Sequence, residues 1–150
     1  MSPAAVCIFC EDIREEKSGQ DSIIGTLPDN LVVAKPPSVT VTPNTKSLLP
    51  KIGVYLRLHL DAAQDIPKDV SAKLINTDGQ IVTQSTWAQP VVEQAFADSR
   101  ANQMPLVSLI FKVVAAPFPI GLEGGKITVI AAVDGVERIA GTLNVIVSTA

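Results

Sequence analysis

The sequence is poor in the side chains that carry acid–base and metal chemistry, with one histidine and two cysteines among 150 residues. Charge is sparse as well: 18% of residues, against roughly 25% in an average soluble protein. The 12 Lys and Arg are scattered, and 15 Asp and Glu leave a net charge of −3 and a pI near 5.0. A nucleic-acid partner needs a basic stripe that displaces counterions from phosphates, so none is expected. Aromatic residues reach only 4%, too few for a carbohydrate-stacking platform. Long apolar runs are missing too. Residues 113–118 and 129–133 are the longest, far short of the ~20 needed to cross a bilayer, so no membrane span is expected. There is no repeat and no Gly/Ser linker to divide the chain.

What is present is a globular composition. Hydrophobic residues make up 47% and mean hydropathy is +0.32, which excludes a disordered chain. A chain of this length buries roughly 68–70% of its unfolded surface and needs no staple, so one domain over residues 1–150 is expected. Residues 1–10 have no basic residue before their apolar stretch and run straight into Glu11-Asp12. They read as a retained first strand, not a signal peptide. Free thiols and no export signal point to the cytoplasm.

Strand patterning runs through the chain. Residues 53–60 place Val54, Leu56, Leu58 and Leu60 on one face and Tyr55, Arg57 and His59 on the other, as in a half-buried antiparallel strand. Residues 70–76 and 80–86 flank Thr77-Asp78-Gly79, and residues 126–133 and 136–147 flank Asp134-Gly135. Asp-Gly supplies the positive φ of a tight turn, so both pairs read as hairpins. Residues 106–115 form a long apolar run, expected to be a central strand. Shorter strands are expected at residues 6–10, 22–27, 31–34 and 39–42, with residues 36–50 as a long loop. The prolines, Pro117 and Pro119 among them, read as punctuation at strand ends. Only residues 90–102 look helical, with Val92, Ala95, Phe96 and Ser99 on one face and Pro90 at the start, an irregular excursion being the equal alternative. The expected fold is therefore an all-β, antiparallel β-sandwich, immunoglobulin-like or C2-like, with at most one short helix; a closed barrel is the alternative. Leu56, Leu58, Val107, Leu109, Phe111, Ile127, Val129, Leu143 and Val145 should lie in its core.

The candidate chemistry is thin. Cys7 and Cys10 form a C-x-x-C, but strand flanks send residues three apart to opposite faces, so the pair reads as apolar packing, not a redox or zinc site. Residues 11–21 hold five acids and two bases, all of the net charge. Arg14 and Lys17 intrude where calcium ligands would be needed, which favours a solvated hairpin arm with internal ion pairs. Gly121, Gly124 and Gly125 lack the Gly-Lys-Ser/Thr of a phosphate loop and read as a turn. Trp87 reads as a core or corner plug. No metal or cofactor is implied. Glu11, Asp12, Arg14, Glu15, Arg57 and His59 remain as candidate binding residues.

The run Ile8-Phe9-Cys10-Glu11-Asp12-Ile13-Arg14-Glu15-Glu16, followed by Gly19 and Ile24-Gly25, resembles the opening of an uncharacterised bacterial family with an F-C-E-D-(I/V)-R-x-E motif. The resemblance covers about the first 25 residues and is only general later, around residues 50–54 and Asp134-Gly135. It implies a bacterial or phage-associated protein and assigns no catalytic residue. The motif reads as a buried Arg–carboxylate brace under the first hairpin, or as a functional surface. The resulting expectation is a non-enzymatic binding or assembly module that forms a homodimer or meets a protein partner. The alternative is a small thiol-dependent hydrolase using Cys10, His59 and Glu11 or Asp12.

Overall fold

In a computed structural model, which describes residues 4–34 and 46–148, the chain forms eleven strands and one helix among the described residues. They are β1 (Ala4–Glu15), β2 (Asp21–Thr26), β3 (Asn30–Ala34), β4 (Lys46–Leu49), β5 (Ile52–Asp61), β6 (Val70–Ile75), β7 (Ile81–Thr86), α1 (Gln89–Ala101), β8 (Leu106–Ala115), β9 (Phe118–Gly121), β10 (Gly125–Val133) and β11 (Val136–Ser148). A four-stranded sheet, β2-β1-β5-β8, faces a five-stranded one, β3-β11-β10-β6-β7, and β4 and β9 form a separate pair. The fold is an all-β sandwich.

The alternation read in β5 is realised: Val54, Leu56, Leu58 and Leu60 are buried, and Tyr55, Arg57 and His59 turn to the other face. All nine expected core residues are buried. Both hairpins form. Asp134 and Gly135 take φ 48° and 83° between paired Val133 and Val136, the two positive φ values of a two-residue turn. Gly79 takes φ 84°, and its N–H donates to the Asn76 carbonyl. Residues 121–125 are the turn from β9 to β10.

The helix carries the chain from the edge of one sheet to the edge of the other. It buries Val92 and Phe96, and Pro90 lies in its first turn. Its last turn is held by the Arg100 guanidinium, which donates to the Ala62 and Gln64 carbonyls at 2.8 and 2.7 Å. At its front Trp87 packs edge-on against Phe111 and donates its indole N–H to the Ile110 carbonyl at 3.1 Å, a corner plug on β8.

Four expectations are corrected. β8 is an edge strand, not a central one: its burial alternates, and Trp87 covers part of the free side. An apolar run is central only when both neighbours exist, and here one neighbour is an indole. The sandwich is not wholly antiparallel, because β3 runs parallel to β11. Residues 46–49, placed in a long loop, are β4, and Pro119 lies inside its partner β9, opposite Leu48. Proline is tolerated there because a two-stranded pair has free edges. The Asn76 amide further secures β9 by donating to the Pro119 carbonyl at 2.6 Å. Finally, strand β1 continues through the charged residues to Glu15. The strand expected at residues 39–42 lies outside the described residues.

Candidate functional site

The N-terminal motif is built into the first hairpin residue by residue. Period two sends Cys7 and Phe9 toward the other sheet, where they meet Gly141 of β11: a Cβ there would sit 2.7 Å from the Cys7 sulfur. Cys10 points the other way and fills the space left by Gly53, its cross-strand partner, where a Cβ would also lie 2.7 Å from the sulfur. Glu11 lies across Gly25, which holds φ +64°. Asp12 pairs with Lys51 at 3.1 Å. Glu15 and Asp21, paired across the hairpin, share the Lys112 ammonium at 2.8 and 2.7 Å. Burial opposes the Asp12 charge, but the Lys51 hydrogen bond outweighs it and holds this carboxyl below its ordinary value. Asp21, then Glu15, hold the Lys112 ammonium above its own.

This arrangement corrects two expectations about the motif. A brace exists, but lysines make it; Arg14 is 68% exposed and only skirts Asp12 at 3.6 Å. The ion pairs are internal to the arm only in part: Asp12–Arg14 lies within it, whereas Lys51 and Lys112 reach its carboxylates from outside. Both partners come from residues next to or within β5 and β8, so the pairs fasten the arm to the rest of its sheet.

Arg57 and His59 stand elsewhere. Cross-strand register arranges the outer face of the four-stranded sheet in rows: Ala4, His59 and Ser108; Val6, Arg57 and Ile110; Ile8, Tyr55 and Lys112. His59 Nδ1 lies 3.5 Å from the Ser108 hydroxyl, and an Arg57 guanidinium nitrogen 3.5 Å from the Tyr55 hydroxyl. Val6 is 51% and Ile110 40% exposed, and Val114 is also exposed on this face. The helix does not lie over these rows; it is tied to the β5–β6 connection and the β8 edge.

The same register separates the thiol from the imidazole. Cys10 is opposite Gly53 and His59 is opposite Ala4, six residues further along β1. Along a strand that is about 20 Å. Cys10 is wholly buried and desolvation pushes its pKa up, while burial pushes the Cys7 thiol up to about 12. The two cysteines are free, and among the described residues no three His, Cys, Asp or Glu side chains are grouped for a metal ion.

Two depressions lie elsewhere. One, lined by Met104, Leu106 and Arg100, has its cation already occupied by the Ala62 and Gln64 carbonyls. The other opens between the sheets at Ala5, Leu58, Ala131 and Arg138. Sequence reasoning missed this second one because a bulge in β11 reverses the alternation there, and Ala140 gives no local sign of it. Among the described residues no helix is long and apolar enough to cross a membrane. No protein-family model matches the chain, and a search of curated proteins gives no match.

Proposed function

We propose that the protein is a non-catalytic binding or assembly module of bacterial or phage origin, working in the cytoplasm through protein–protein contact, with a second copy of itself as the first partner. The observation that carries this reading is the outer face of the four-stranded sheet, uncovered among the described residues, where exposed Val6, Ile110 and Val114 stand with Tyr55 and Arg57. Aromatic and arginine side chains among apolar ones are the residue types that anchor interfaces. The resemblance of the motif supports the bacterial or phage setting, and its residues serve the fold of the arm. The hydrolase alternative needs Cys10 and His59 together, and the register keeps them apart.

Sedimentation at tens of micromolar tests the reading. The wild type should sediment as a dimer and Ile110→Lys as a folded monomer, since Ile110 is exposed and its replacement charges the centre of the face. A wild type that is monomeric and binds no protein would count against the module. Cys10 should also react slowly with a thiol reagent at neutral pH. Rapid labelling, with a pH dependence abolished by His59→Ala, would replace this reading with the hydrolase.

A further inference from the structure

β11 carries one residue too many against β10: Val129 pairs with Gly141 and Ile130 with Ile139, which leaves Ala140 as the bulge. A one-residue slip exchanges the faces of everything beyond it. Continued alternation from Leu143 would send Ile139 inward and Arg138 outward. Instead Ile139 is 68% exposed, and Arg138 stands opposite buried Ala131, on the side facing the other sheet but at its rim, where it is itself exposed. Small side chains at Ala5, Ala131 and Ala140 leave a cavity of about 120 Å³ at this end, with Leu58, Val133 and Arg138 also among its lining residues. Among the described residues Arg138 has no carboxylate or hydrogen-bonding partner.

A third feature adjoins the cavity. The outer edge of β11 is unpaired over residues 136–143 among the described residues, because β3 joins it only from Asn144 onward. Such an edge offers backbone donors and acceptors in register for one more strand.

We propose that this recess binds the C-terminal residue of a partner polypeptide. An aliphatic side chain enters the cavity, the terminal carboxylate pairs with the Arg138 guanidinium, and the preceding residues add as a strand to the open edge of β11. The dimensions select this occupant. Apolar cavities near ~150 Å³ take up a benzene-sized group, so the recess holds one side chain and not a lipid tail. A carboxylate and an aliphatic group within one residue are found together only at a chain terminus, since aspartate and glutamate spend their side chain on the charge. The unpaired edge can be used by an extended peptide and not by a small acid. This site is separate from the outer face invoked for self-association and does not depend on it.

The test is an amide-resolved NMR titration of the full chain with acetyl-Thr-Val-Leu as free acid, with its C-terminal amide, and with 4-methylpentanoate. The free acid should shift the signals of Ala131, Val133 and residues 136–140 and approach saturation near about 1 mM, and the amide should bind about tenfold more weakly. Arg138→Gln should lose the same tenfold and no longer distinguish acid from amide, as two changes to one ion pair do not add. Ala140→Leu, which fills the mouth, should abolish binding and leave distant signals in place. Equal binding of acid and amide to the wild type, or no shift at all, overturns the proposal. Binding of 4-methylpentanoate as tight as that of the peptide overturns the peptide as occupant and leaves a small-carboxylate site.

Discussion

At the scale of single residues, the chain uses glycine where two elements cross and sulfur to fill the gap. Gly53 is the clearest case, because the Cys10 sulfur occupies the position its Cβ would need, with Ile13 at 3.4 Å from the same point. Gly53→Ala should therefore destabilise the protein by ~1–3 kcal/mol, the usual cost of overpacking a close-packed site. The added methyl and the sulfur compete for one space, so Cys10→Ala should recover much of that loss. Urea denaturation of both single variants and the double variant measures the coupling. Strictly additive losses would show that the clash is relieved elsewhere and that the sulfur does not set the crossing. Gly141 against Cys7 repeats the device between the two sheets. Such spacing is invisible in one sequence, because cysteine and glycine each have many unrelated uses; only the register joins Cys10 to Gly53.

At the scale of elements, the β1–β2 hairpin is an exposed arm attached through charge at one end and through Phe9 and Cys10 at the other. The two pKa shifts set its pH window. The Asp12 carboxyl is held below its ordinary 3.8, so its contribution is present above that value and is lost as pH falls through the lower folded one. The Lys112 ammonium is held above its ordinary 10.5, so its contribution is present below 10.5 and is lost as pH rises through the higher folded one. Hydrogen exchange at residues 12–15 should accordingly lose protection at acid pH before the core does, and Asp12→Asn should reduce that dependence, the rest belonging to the carboxylates on Lys112. Protection that falls equally in arm and core would refute a separately fastened arm. The sequence made β5, the two Asp-Gly hairpins and α1 legible, since alternation, turn chemistry and a proline start all act locally. It left β4 and β9 unread, because four residues are too few to show a period and Pro119 resembles a terminator. The candidate binding residues were legible as a cluster only in part: Arg57 does share a face with Tyr55, whereas Arg14 lies 68% exposed and unburied by the brace expected of it.

At the scale of the whole molecule, one apolar cluster joins both sheets, the small β4–β9 pair and the helix: Phe9, Leu56, Leu109, Phe118, Ile127, Leu143 and Phe96 all belong to it. A single core among the described residues implies that they unfold as one unit, as small domains of this size usually do. Trp87 is the only tryptophan and packs on Phe111 at the corner where the chain passes from one sheet to the other. Its fluorescence therefore reports that corner, while circular dichroism reports the strands of both layers, and the two urea transitions should coincide. Leu109 is 3% exposed on β8 and paired with Leu58 in the core, so Leu109→Ala should cost ~2–5 kcal/mol through lost burial and a residual cavity. Because the core is shared, the loss should move both transitions by the same amount, although the substitution lies in the four-stranded sheet alone. Were the fluorescence transition to shift while the dichroism transition stayed in place, the two layers would be melting separately, and the sandwich would have to be treated as two units held together at Trp87.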